Sequence, residues 1–102
     1  APIWAVPKCL AKEGLSTNDI DLYEINEAFS GSTVAVLKTL ELDPAKVNVN
    51  GGAVALGHPI GASGCRLLVT LLHEMGRQHK KRGLVSLCLG GGEAVAMMVK
   101  RD

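Results

Sequence analysis

Ten of the chain's twelve glycines lie after position 50. This asymmetry is the strongest constraint on the fold, because glycine clusters mark where a backbone turns tightly or passes close to a neighbour. The first half therefore reads as ordinary alternation of helix and strand. Pro7–Lys12 is helix-like with Gly14 as its stop, and Asp21–Ile25 is a short strand bounded by Asp and Asn. Glu27–Leu40 carries Ala28, Phe29, Val34, Leu37 and Leu40 near helical spacing, and Asp43-Pro44 breaks it. In the second half, Val47–Asn50 alternates apolar and polar residues and reads as a strand entering the Gly51-Gly52 turn. A Gly-rich stretch to Gly64 opens the longest helical signal, striped by Leu67, Leu68, Leu71, Leu72 and Met75, with Gly76 and Gly83 bracketing its frayed basic end. Leu84–Leu89 and Ala94–Val99 are strands joined through Gly90-Gly91-Gly92. This order predicts an α/β domain, with a mixed but mostly parallel sheet, helices on its faces and a C-terminal antiparallel hairpin.

Composition narrows the function. Eleven Lys+Arg balance ten Asp+Glu in 102 residues, whereas a nucleic-acid surface needs clustered excess positive charge. A hydrophobic fraction of 47% is globular rather than disordered. No apolar run reaches the ~20 residues that span a bilayer. Three cysteines, Cys9, Cys65 and Cys88, are too few for a disulfide scaffold and suggest a reducing compartment. No Cys-x-x-Cys occurs, and His73 and His79 do not share a helical i, i+4 face, so no metal is expected. Both read as surface residues, Cys9 and Cys65 as packing residues, and Met75, Met97 and Met98 as core filling.

Three constellations could carry chemistry. In the loop from Gly51 to Gly64, Gly52-x-x-x-x-Gly57 begins like a phosphate-binding loop. His58-Pro59 then stands where Lys-Ser/Thr is required, which disfavours nucleotide binding. The glycines could simply let a crowded turn pass, yet His58, held between Gly57 and Pro59, suits a positioned imidazole. Cys88 ends a strand before three glycines, whose N–H groups could stabilise a thiolate or an oxyanion. It could equally be a small packing residue. Asn26, at a strand-to-helix junction, is either an N-cap or an amide that orients water or substrate. Glu27 beside it complements the helix dipole.

Taken together, Asn26-Glu27-Ala28-Phe29, Gly57-His58-Pro59 with Gly61-Ala62-Ser63-Gly64, and Cys88-x-Gly90-Gly91-Gly92 resemble the thiolase family in order and spacing. The stretch from Asn48 to Gly64 resembles the thiolase loop almost letter for letter. The resemblance implies acyl transfer between coenzyme A thioesters, by cleavage of 3-ketoacyl-CoA or the reverse Claisen condensation of acetyl-CoA. It implies that His58 activates a separate nucleophilic Cys and helps bind a thioester oxygen, and that Cys88 exchanges a proton with the substrate α-carbon. Asn26 would hold a water completing one oxyanion site, and the Gly90 N–H would contribute to the other. Ala28 and Phe29 would line the acyl and pantetheine pocket. No cofactor is expected beyond the thioester substrates. Glu93-Ala94 departs from many relatives, but it lies past Gly90.

Thiolases have two similar halves, and residues 1–102 resemble only the last part of the second. The half-domain's first, central strand and the whole N-terminal half are missing from the resemblance. The motif of the nucleophilic Cys is absent, and Cys9 does not match it. The nucleophile is therefore expected from outside this chain, which alone would be inactive. Without the central strand, the sheet is expected to have unpaired edges. The complete enzyme is expected to be a homo-oligomer in the cytoplasm, with mitochondrion or peroxisome as alternatives. The competing reading is a non-catalytic module that binds coenzyme A or a protein partner through an inherited fold.

Overall fold

The computed structural model describes residues 1–102. Helix α1 spans Pro2–Lys12, longer than expected because Pro2 starts it, where a missing N–H costs nothing. Its buried residues Pro2, Val6 and Leu10 recur every four positions and form one inward stripe. Strand β1 is Leu22–Ile25, and helix α2 begins at Ser30 and ends at Thr39. The helix therefore starts three residues later than the expected Glu27. Phe29 is extended at φ −140° and serves as N-cap, so Asn26 caps nothing. A four-residue helix α3, Ala53–Leu56, precedes the long α4, Ser63–Gln78. Helix α4 continues through Gly76 and stops at His79, which takes the left-handed conformation. Strands β2, Arg82–Cys88, and β3, Ala94–Lys100, form the expected hairpin.

The sheet has three strands in the order β1-β2-β3, parallel then antiparallel. No gap separates β1 from β2, because Leu22–Ile25 pairs directly with Gly83–Ser86. The expected vacancy of a central strand is thus closed, and those backbone groups find partners within the chain. The strand expected at Val47–Asn50 shrinks to isolated bridges, Tyr23 to Val47 and Val49 to Gly51. The reason is Asn48, whose φ of +49° ends the extended path. Its side chain takes over the pairing. Ile25 N–H donates to Asn48 Oδ1 and Asn48 Nδ2 donates to the Ile25 carbonyl, both at 2.8 Å.

Period-two alternation sorts the strand residues into two cores. Tyr23, Ile25 and Leu84 pack with Val6, Leu10 and Val36 beneath α1 and α2. Leu22 and Val85 pack with Leu67, Leu71 and Met75 of α4 on the other face. Not every residue expected inside is there. Phe29, Val34, Leu72 and Met97 are exposed, as is Cys65, while Cys9 packs against the first core.

Helix α4 lies on β2 because Gly83 lacks a side chain. A Cβ there would sit 2.6 Å from Met75 Sδ and 2.8 Å from the Leu71 methyls. Gly83→Ala should therefore destabilise the protein by about 1–3 kcal/mol through overpacking. Urea denaturation measures this, and an unchanged midpoint would contradict the seating of α4.

Candidate active site

Parallel pairing carries one step beyond β1, where Asn26 N–H donates to the Ser86 carbonyl at 3.0 Å. Asn26 therefore follows the end of β1 while Cys88 ends β2. Both stand at the C-terminal ends of parallel strands, where ligand crevices of α/β sheets form. They line one cleft of about 210 Å³, together with Pro2, Ile25, Thr33 and Val36. Asn26 is 5% exposed, and its buried Oδ1 has no hydrogen-bond partner in the chain.

His58 arrives from a different segment. Gly57 has a φ of +99°, a conformation open to glycine that turns the chain out of α3. The Pro59 carbonyl accepts from Ala62 and Ser63 N–H and starts α4. His58 Nδ1 lies 2.5 Å from Ser63 Oγ, and the Asn26 amide nitrogen lies 3.3 Å from Nε2. Ser63 Oγ also lies 3.2 Å from the Pro59 carbonyl, to which it can donate. The same Asn26 nitrogen lies 3.4 Å from Nδ1, so the amide meets the imidazole nearly midway between its two ring nitrogens.

Of the residues singled out by sequence, Asn26 and His58 are thus in contact, and Cys88 shares a cleft with Asn26. Ala28, Phe29 and Gly90 do not line that cleft. Phe29 points outward at 76% exposure, and its carbonyl accepts from Ser32 and Thr33. The Gly90 N–H donates to no group in the chain. Glu93 instead accepts from Gly91 N–H at 3.1 Å.

Sequence reasoning missed the supports. Ser63 is buried and orients His58, and Asn48 carries the pairing at Ile25. The Glu27 carboxylate accepts from Asn48 Nδ2 at 3.3 Å and from Val54 N–H at 3.2 Å. Asn50 is held by Glu74, which also accepts from Arg77 and Gln78. Those bonds lower the Glu74 carboxyl to about 2. Serine beside a loop histidine was the available signal. The carboxylates gave none, because their partners near the site, Asn48, Asn50 and Val54, are distant in sequence.

Fold and site define an α/β domain in which separate segments bring an Asn, a His and a Cys toward one edge of a mixed sheet. Over residues 1–101 the chain matches the thiolase C-terminal domain, and it belongs to the thiolase family. It is 53% identical over its full length to a probable acetyl-CoA acetyltransferase of Escherichia coli, covering 26% of that protein. It is 57% identical over 98% of its length to a cytosolic acetyl-CoA acetyltransferase of Mus musculus, covering 25% of it. An acetyl-CoA acetyltransferase of Chromobacterium violaceum is 58% identical, with 98% of this chain and 26% of the relative covered. The chain therefore spans about a quarter of the length of these relatives. No helix is long and apolar enough to cross a membrane.

Beneath the site, Glu24 is buried on the α4 face of β1 and pairs with Arg66 at 3.3 Å. Burial pushes its carboxyl up to about 7, against the opposing pull of Arg66. A raised carboxyl pKa means that the folded state holds the proton more tightly. The stabilisation from this group is full below its ordinary value near 4.5 and is lost as pH rises through about 7. Melting temperatures from pH 4.5 to 8 should therefore fall more in the parent than in Glu24→Gln. Parallel curves would contradict a raised Glu24.

Proposed function

We propose that this chain is the part of a thiolase that carries the proton-transferring and carbonyl-polarising groups. The enzyme would interconvert 3-ketoacyl-CoA plus CoA with two shorter thioesters, acetyl-CoA among them. The observation that carries this reading is the contact between the Asn26 amide and the His58 imidazole, beside the cleft that Asn26 shares with Cys88. The relatives are acetyl-CoA acetyltransferases by name, which supports the substrate class. The nucleophilic Cys would come from the rest of the protein, of which this chain is about a quarter by the relatives' length.

In the cleavage direction, His58 takes the proton of that nucleophile, whose sulfur attacks the 3-keto carbon. The bond between Cα and the keto carbon then breaks, and its electron pair goes to Cα as the acetyl-CoA enolate. The Cys88 S–H protonates Cα, which releases acetyl-CoA and leaves an acyl-enzyme. The Cys88 thiolate next takes the proton of an incoming CoA thiol, which attacks the acyl group and frees the nucleophile. Negative oxygen developing at the thioester carbonyl is met by His58 and by a water on Asn26, whose spare Oδ1 accepts from that water. The unused Gly90 N–H is suited to the other carbonyl oxygen. Ala28 and Phe29, with Phe29 exposed beside the Asn26 turn, would meet the acyl and pantetheine portions. The scheme requires the thioesters, the CoA thiol and one water as its small molecules. The complete enzyme would be a homo-oligomer of the cytosol, the compartment in the name of the Mus musculus relative.

In the complete enzyme, Cys88→Ala should abolish condensation yet leave some acyl-enzyme, whereas His58→Ala should impair both half-reactions. Mass spectrometry of the acylated protein separates the two effects. Full condensation activity in Cys88→Ala would overturn the reading and favour a non-catalytic binding module. Asn26→Ala should raise the barrier by ~2.7–4 kcal/mol, the cost of a lost oxyanion donor. Because Asn26 caps no helix, no cap contribution is lost. Turnover should therefore fall far more than melting temperature, and unchanged turnover with a lower melting temperature would make Asn26 purely structural.

A further inference from the structure

We infer that Glu27 is a positioning residue that fixes the His58 loop against Asn26, and that Gly52 is a glycine because the Glu27 carboxylate fills its side-chain space. The inference rests on the proposed thiolase reading of His58 and Asn26. Across residues 51–62, two side chains from outside the loop other than Ser63 form hydrogen bonds to it, and they are sequence neighbours. The Asn26 amide meets the His58 ring, and Glu27 Oε1 accepts from Val54 N–H at 3.2 Å. Glu27 Oε2 meanwhile accepts from Asn48 Nδ2, and Asn48 is itself bonded to both polar groups of Ile25. A single carboxylate therefore ties the loop, four residues ahead of His58, to the strand end that carries Asn26.

The fit is close. A Cβ on Gly52 would lie 2.4 Å from the Glu27 carboxyl carbon and from Oε1. The Gly52 backbone itself is extended, at φ −145°, so alanine there meets no backbone strain but must push the flexible Glu27 carboxylate aside. His58 is exposed and sits in a loop without regular structure. Loss of the clamp therefore lets the imidazole drift from the amide it must work beside. A misplacement of ~1 Å costs about a hundredfold in rate even when the mutation is remote from the chemistry.

The test uses the full-length enzyme and thiolysis of acetoacetyl-CoA. Glu27→Ala should lower kcat by about a hundredfold, with the loss in kcat rather than KM. Glu27→Gln retains an oxygen for Val54 N–H and should recover part of it. Gly52→Ala should reproduce the kcat defect by displacing the carboxylate. The double variant Glu27→Ala/Gly52→Ala should be no slower than Glu27→Ala alone, because removing the carboxylate makes room for the methyl. Such non-additivity is the signature of a direct coupling. Losses that multiply in the double variant, or a kcat unchanged per folded molecule with only melting temperature reduced, would overturn the inference. If Glu27→Ala fails to fold, Glu27→Gln and Gly52→Ala decide it by their kcat values. A parent enzyme without thiolysis would instead overturn the function proposed above, so the two failures are distinct.

Discussion

The parallel ladder between β1 and β2 is the contact on which the site depends. Leu22 to Ile25 runs beside Gly83 to Ser86, and that register alone sets Asn26 near Cys88 across the strand ends. The register is enforced by burial on both faces. Tyr23 and Ile25 point to the α1 and α2 side, Leu22 and Glu24 to the α4 side. A slip of one residue would exchange these sets, placing Glu24 in the core and separating it from Arg66. Burying each large apolar side chain contributes roughly 1.5–3 kcal/mol, so Tyr23, Ile25 and Leu84 together outweigh any such alternative.

The second support is a substitution of side chain for backbone. At Asn48 the chain leaves the extended region, and a non-glycine residue held there costs of order 1–3 kcal/mol. Two hydrogen bonds to Ile25 offset part of this, each contributing about 1 kcal/mol net. The consequence is geometric. A continued strand would carry residues 48–50 past the sheet edge, whereas the turn at Asn48 sends the chain back as a loop ending at His58. The Asn50 bond to Glu74 on α4 holds the same turn from the opposite side.

These features explain what the sequence disclosed. Asn26, His58 and Cys88 stand out in the sequence as candidates because each is a reactive or polar type set beside glycine, proline or a strand end. The long helix and the hairpin were legible from periodicity, and Leu67, Leu71, Met75 and the β2–β3 pairing follow it. Val47–Asn50 misled because alternation describes an extended segment and cannot reveal that Asn48 will pair through its amide. Glu27–Leu40 misled because Ala28 and Phe29 match helical spacing while the Asn26–Phe29 turn is fixed by contacts to a distant loop. The direct β1–β2 pairing was illegible for the same reason. Whether β1 meets β2 is decided by packing between segments 61 residues apart, which local pattern does not encode.

Three glutamates show how environment rather than residue type assigns a role here. Glu24 is buried beside one guanidinium, and desolvation dominates, so its proton is held to about 7. Glu74 accepts from Arg77, Gln78 and Asn50, and these donors hold it down to about 2. Glu27 is half-buried and accepts from one amide and one backbone N–H. All three tie together segments distant in sequence: Glu24 joins α4 to β1, Glu74 joins α4 to the Asn50 turn, and Glu27 joins the His58 loop to the strand end. The sheet residues Asn26 and Cys88 inherit their placement from the ladder, while His58 inherits its own from these polar attachments. Segments held by a few partly exposed hydrogen bonds open at lower free energy than packed strands. The imidazole is therefore the mobile member of the trio, and the carboxylates are the means by which the fold limits its motion.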